Sequence, residues 1–315
     1  SEKIIVDKLT KYYGTFKALS NVSFNVNKGE VFGLIGPNGA GKSTTMRSML
    51  NFIFPSKGSI TINGLDSKED YLKIRSLIGY LPGEFTTYEN MNGQEYLKHI
   101  LHLRKIPQKE NYVKKLAKRF DLDLSKKAKN LSKGNKQKIG IIQAFCHDPE
   151  ILILDEPTSG LDPLKQQVFD DLILEYKEKG KTIFISSHVL PEVEMLCDRV
   201  AIIKDGRIVA ENTMSKLKSM AMNRFEVIFK NEIREKGFGK SIGVKKIIRS
   251  GDKYIFDIEG DVNKFIKKIT ENKVSSFKSI EPDLEEIFLS FYKKRGKGVK
   301  SVSYTHLTLP TNSNV

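Results

Sequence analysis

The 315-residue sequence predicts an α/β fold with a mostly parallel central sheet, and three features carry that expectation. Short apolar runs within Glu30–Ile35, Ile151–Leu154 and Thr182–Ser186 have the composition of strands buried on both faces. Stretches of helical periodicity, Lys42 to about Asn51 and Leu164–Lys179, alternate with them. A Gly-rich loop joins the first of these strands directly to a helix.

Taken in chain order, Ile4–Leu9 and Val22–Val26 read as short strands, and Gly29 turns the chain into Glu30–Ile35. Ser59–Ile62 and Leu77–Leu81 are further strand candidates. From Gly93 to about Phe145 the pattern becomes helical and rich in Lys, which reads as a helical subdomain inserted into the α/β core. Arg199–Lys204 and Arg207–Ala210 flank Asp205-Gly206, a strong hairpin turn signal. A boundary is expected near Ser215–Asn223. Beyond it, Arg224–Phe229, Lys245–Arg249, Lys253–Ile258 and Ser275–Ile280 read as strands of a small α+β domain with two helices. The last helix begins at Asp283, with Glu286 placed for a capping box.

Lys and Arg number 53 against 38 Asp and Glu, a formal charge of +15. Such an excess suits an anionic partner: a nucleotide, a nucleic acid, or the acidic inner face of a membrane. Most individual lysines read as a solvated surface. Cys146 and Cys197 stand far apart, and no Cys/His cluster has metal-ligand spacing. That favours buried free thiols in a reducing compartment over a redox pair. Ser1–Thr10 carries charges throughout, unlike a signal peptide, and no apolar run approaches the roughly 20 residues needed to span a bilayer. Work at a membrane is therefore expected to proceed from the cytoplasmic face, through another protein.

Gly36-Pro37-Asn38-Gly39-Ala40-Gly41-Lys42-Ser43-Thr44 fits the Walker A pattern between a strand and a helix. Glycines let the backbone wrap phosphates, and successive N–H groups with a helix N-terminus face their charge. Lys42 is expected to reach the β- and γ-phosphates of ATP, and Ser43 to offer its hydroxyl to Mg²⁺. Ile151-Leu-Ile-Leu-Asp155-Glu156 is the matching Walker B strand, with two carboxylates at the end where open α/β sheets bind ligands. Asp155 is expected to hold Mg²⁺, and Glu156 to orient and deprotonate the attacking water. Together these motifs imply a P-loop NTPase core.

With both motifs in place the chain resembles the ABC ATPase family, and further motifs follow in order. Leu131-Ser132-Lys133-Gly134-Asn135 is similar to the family signature, with Lys133 and Asn135 departing from it. With Lys136-Gln137 it resembles the form in bacterial ABC-2-type exporters. The resemblance implies that Ser132, Gly134 and Asn135 meet the ATP of an opposite subunit in a head-to-tail dimer, homomeric or heteromeric. Ser132 also suits a helix N-cap. Ser159-Gly-Leu-Asp162 resembles the D-loop. His188, in Ser186-Ser-His-Val, resembles the switch histidine of the γ-phosphate. Tyr13 matches the aromatic that stacks on adenine, with Tyr12 its competitor and core packing open to either. The family's Q-loop glutamine is missing from Tyr80-Leu-Pro-Gly83-Glu84-Phe85, and two readings stay open: Glu84 as its substitute, or a sensor that is lost or supplied by the loop's backbone.

The resemblance runs from Ile4 to Tyr292. It implies an ATP-hydrolysing transporter subunit, peripheral to the membrane, driving export through a separate integral membrane permease. The competing reading is a soluble ABC ATPase acting on ribosomes or nucleic acid. Ribosome-acting members usually carry tandem cassettes and this sequence shows one, so nucleic acid is not the expected partner. The expected division is 1–214 for the ATPase domain, with its helical subdomain at about 93–145, then 215–295 for an accessory domain and 296–315 for a tail. Val302–Thr311 reads as translated adapter sequence and is set aside.

Overall fold

The computed structural model describes residues 1–220, 222–231, 233–280 and 284–293. The expectations for Asp283 and for the tail at 296–315 lie outside the described residues. The first part contains β1 (Glu2–Tyr13), β2 (Phe16–Asn27), β3 (Val31–Ile35), α1 (Lys42–Met49), β4 (Lys57–Ile62), β5 (Leu65–Asp66), α2 (Tyr71–Leu77) and β6 (Ile78–Leu81). Helices α3 (Gly93–Leu103), α4 (Glu110–Arg119) and α5 (Lys133–Phe145) follow. Next come β7 (Ile151–Asp155), α6 (Pro163–Glu178), β8 (Thr182–Ser187), α7 (Leu190–Leu196), β9 (Arg199–Lys204) and β10 (Arg207–Thr213). The remainder is α8 (Met214–Met220), β11 (Asn223–Phe229), β12 (Val244–Ser250), β13 (Lys253–Ile258), α9 (Val262–Thr270), β14 (Val274–Ile280) and α10 (Leu284–Lys293).

The central sheet has the order β10-β9-β3-β8-β7-β6, parallel except for the edge strand β10. Period-two alternation divides its side chains between two cores. Phe32, Leu34, Ile151, Ile153 and Phe184 face one way, while Val31, Ile35, Leu152, Leu154, Ile183 and Ile185 face the other. A second, antiparallel sheet of order β2-β1-β4-β5 covers the first face. Phe24 of that sheet stacks on Phe32 and on Phe184, with centroids 5.4 Å apart in each pair. Truncating one of these rings to Ala would cost about 3–5 kcal/mol.

The opposite face is covered by helices, including the inserted α3–α5. Asn92 opens α3 with a capping box: its Oδ1 accepts from Glu95 N at 2.8 Å, and Glu95 Oε2 accepts from Asn92 N at 2.9 Å. Helices α2 and α7 escaped the sequence reading because each spans only seven residues. In α7, Pro191 looks like a stop but occupies the first turn, where its missing N–H is harmless.

Strands β12-β13-β11-β14 form an antiparallel sheet whose core includes Phe256 and Phe265. Within the stretch expected to form an accessory domain, Phe288 of α10 and Leu217 of α8 are buried in the central core. Ile287, Phe288 and Phe291 form an apolar stripe on α10, and that stripe is what returns the helix to the first body.

Candidate functional site

Parallel register brings the functional loops together. Leu34 of β3 and Asp155 of β7 both lie opposite Ser186 of β8, so Walker A, Walker B and His188 leave the sheet at the same edge. The Walker A loop enters α1 through Gly41, whose φ of 111° favours glycine. A Cβ there would also lie 2.6 Å from Leu19 Cδ2. At the loop's start, a Cβ on Gly36 would lie 2.4 Å from the Ile203 carbonyl. The β9–β10 hairpin turns through Asp205 and Gly206, both at positive φ as its Asp-Gly signal implies. Gly206 N donates to Ala40 O at 2.9 Å, and Gly206 O accepts from Ser20 N at 2.8 Å. The hairpin tip therefore braces the phosphate loop against β2.

Lys42 is only 6% exposed. Its Nζ donates to Gly36 O at 2.6 Å and to Pro37 O at 3.3 Å, and pairs with Glu156 Oε1 at 3.1 Å. The other Glu156 oxygen lies 2.7 Å from His188 Nδ1. Glu156 is a non-glycine residue at φ 48°, held there by its N–H, which donates to Ser186 O and Ser186 Oγ, each at 3.1 Å. Strain of this kind persists where surrounding structure over-determines it. Ser186 Oγ in turn donates to Asp155 Oδ1 at 2.5 Å, and Asp155 is 1% exposed. Sequence reading gave Ser186 no role beyond the strand it ends.

A cavity of about 370 Å³ opens over this group. Lys42, Ser43, Thr44 and Glu156 line it, along with Asn38 and Gly39 of the loop. Tyr13 also lines it and Tyr12 does not; Lys17 Nζ lies over the Tyr12 ring, 5.1 Å from its centroid. Phe16, missed in the sequence, stands beside Tyr13 on the cavity wall. The two are cross-strand partners about a two-residue turn, so the spacing Tyr13-Gly-Thr-Phe16 carried the signal.

Ser132, Gly134 and Asn135 do not line this cavity. Ser132 is exposed and caps α5, accepting from Asn135 N at 3.2 Å. Gly134 abuts the D-loop: a Cβ on it would lie 2.5 Å from Gly160 O. Gln137 Nε2 reinforces that junction by donating to Pro157 O at 2.8 Å. Asp162 caps α6, accepting from Lys165 N at 3.0 Å. In the Q-loop, Gly83 rather than Glu84 meets the Walker B carboxylate. A Cβ on Gly83 would lie 3.0 Å from Asp155 Oδ2, whereas the Glu84 residue is exposed.

The profile of the ABC transporter family matches residues 19–159. An uncharacterized ABC transporter ATP-binding protein of Methanocaldococcus jannaschii is 42% identical over 216 residues, covering 66% of this chain and 76% of that protein. The bacitracin transport ATP-binding protein BcrA of Enterococcus faecalis is 32% identical over 293 residues, covering 90% of this chain and 94% of that protein. A solved structure described as the ATP-binding subunit of an ABC transporter superposes with TM-score 0.65 at 33% identity, over 69% of this chain and 92% of that one. Matching motifs, shared fold and cover of 76% to 94% of such relatives agree: the chain belongs to the ABC transporter ATP-binding proteins and is an ATP-hydrolysing subunit.

Proposed function

We propose that this ATPase works as a dimer on the cytoplasmic face of the membrane, coupling ATP hydrolysis to export through a separate integral membrane permease. The observation that carries the catalytic reading is the linkage of Lys42, Glu156 and His188 at the cavity edge. ATP would lie with its base against Tyr13 and Phe16 and its phosphates against Asn38 to Thr44. The terminal phosphate competes with Glu156 for Lys42, which frees a carboxylate oxygen for water. Glu156 then takes the proton of the water whose oxygen bonds to the terminal phosphorus, as the bond to the ADP oxygen breaks. His188 keeps the carboxylate aimed.

The residues also fit Mg²⁺. Ser43 and Asp155 offer the hard oxygen donors this ion prefers. One Asp155 oxygen is oriented by Ser186, and the other faces Gly83, where a side chain would intrude. When bound with nucleotide, Mg²⁺ supplies neutralisation of the phosphate charge.

Support for the dimer comes from the exposed Ser132, standing outside its own chain's cavity. Support for export comes from the Ser132-Lys-Gly-Asn-Lys-Gln137 form of the signature and from a relative named for bacitracin transport. The test is copurification with a multi-helix membrane protein, followed by ATPase assay of the complex in lipid vesicles. Stimulated turnover and ATP-dependent dimerisation are expected. Cosedimentation with ribosomes, with no membrane partner, would overturn the transport reading.

A further inference from the structure

Strand β8 ends at Ser187, and the chain turns through His188 and Val189 into α7. The His188 side chain is about half exposed, so packing alone does not set its direction. The turn is instead tied from within. Ser187 Oγ accepts from Val189 N at 3.0 Å and donates to Glu192 Oε2 at 2.9 Å. Ser187, before His188, thus reaches a carboxyl group in the first turn of α7, and Val189, after it, is tied to the same Ser187 hydroxyl.

That carboxyl is 7% exposed, and Asp170 of α6 is buried to the same degree. Among the described residues, Glu192 Oε1 and Asp170 Oδ1 have no hydrogen-bond partner. Burial pushes Glu192 up to about 7; the Ser187 hydrogen bond opposes the rise and the Asp170 carboxylate adds to it. Thr158, on the loop that follows Glu156, favours the charged form. Asp170 is raised to about 6, by burial first and by Asp171 second. A side chain serving only to fill space would be apolar here, since an incompletely satisfied buried carboxyl costs stability.

We propose that Glu192 is a positioning residue for hydrolysis, holding through Ser187 the turn that presents His188 to Glu156. The proposal rests on the roles given above to Glu156 and His188. It asks only that Glu192 accept a hydrogen bond, which both the carboxylate and the carbonyl oxygen of a neutral carboxyl do. Glutamine would keep that acceptor; alanine and methionine would remove it, and methionine would also keep the volume.

The experiment measures kcat, KM for ATP and nucleotide affinity for Glu192→Ala, Glu192→Met, Glu192→Gln, Ser187→Ala, the double variant Ser187→Ala/Glu192→Met, and His188→Ala. Glu192→Met and Glu192→Ala are expected to lower kcat about 10- to 100-fold through misplacement of His188. ATP affinity stays within about two-fold, because the phosphate loop is untouched. Glu192→Gln restores kcat to within about three-fold of the parent, and the double variant is no worse than either single one. Parental turnover in Glu192→Met, failure of Glu192→Gln to rescue, or additive losses in the double variant overturns the proposal. The two readings separate at His188→Ala. Parental turnover there removes the His188 role and this inference with it, whereas an inactive His188→Ala beside a fully active Glu192→Met removes this inference alone.

Discussion

His188 Nδ1 and Glu156 Oε2 lie 2.7 Å apart, joining the ends of two adjacent parallel strands. The other Glu156 oxygen reaches Lys42 at 3.1 Å, so one carboxylate connects Walker A, Walker B and the segment after β8. Chain order separates these residues widely; strand register makes them neighbours.

Glu156→Gln preserves shape and hydrogen bonding while removing the basic oxygen. Phosphate release is expected to fall by about 100-fold or more, with ATP binding retained and an ATP-bound dimer accumulating. Phosphate assay, nucleotide binding and light scattering read the three effects. Near-parental hydrolysis would remove Glu156 as the base.

Lys42→Ala deletes the buried cation of the phosphate loop. A loss of about 100-fold in kcat/KM is expected, with weaker nucleotide binding, because the substitution removes charge compensation in both ground and transition states. Titration with a fluorescent ATP analogue checks the binding part. Unchanged affinity and turnover would place the working site elsewhere.

Gly83 and Glu84 divide the Q-loop question between backbone and side chain. A methyl group on Gly83 would crowd Asp155 Oδ2 at 3.0 Å, so Gly83→Ala is expected to lower turnover about ten-fold through displacement of that carboxylate. Glu84→Ala, at an exposed residue, should keep ATP affinity and uncouple turnover from transport if Glu84 is the sensor. Coupled transport at the parental rate in Glu84→Ala, with Gly83→Ala impaired, would assign the loop's function to its backbone.

Glu192 also makes stability depend on pH in a defined direction. Its folded value, about 7, exceeds the ordinary 4.5, so between those limits the folded chain binds more protons at this position than the unfolded chain. This group's contribution therefore favours folding at low pH and declines as pH rises toward about 7. Burial is the main cause of the rise; Asp170 and Glu156 add to it, and hydrogen bonds with Ser187 and Thr158 oppose it. Melting temperatures of parent and Glu192→Gln, compared from pH 5 to pH 8, should show the variant gaining relative to the parent as pH rises. A constant difference would show that Glu192 does not titrate in this range.

The ordered motifs were legible in the amino-acid sequence because each is local: phosphate wrapping needs contiguous glycines, and a buried strand needs a contiguous apolar run. The same holds for the Asp205-Gly206 hairpin and for most strands. Tyr13 was the aromatic expected from the resemblance, with Tyr12 its competitor; of the two, Tyr13 lines the cavity. Phe16, Ser186, Gly83 and Glu192 depended on contacts from other strands and loops, and α10 on which core offered room for its apolar stripe. By itself, then, the sequence determined the ABC family membership, the α/β class and the segments that carry the ordered motifs, because covalent order and side-chain chemistry suffice for them. Only the tertiary structure decided which groups face one carboxylate, which aromatic flanks the cavity and where α10 packs, because those depend on strand register and packing between residues far apart in the chain.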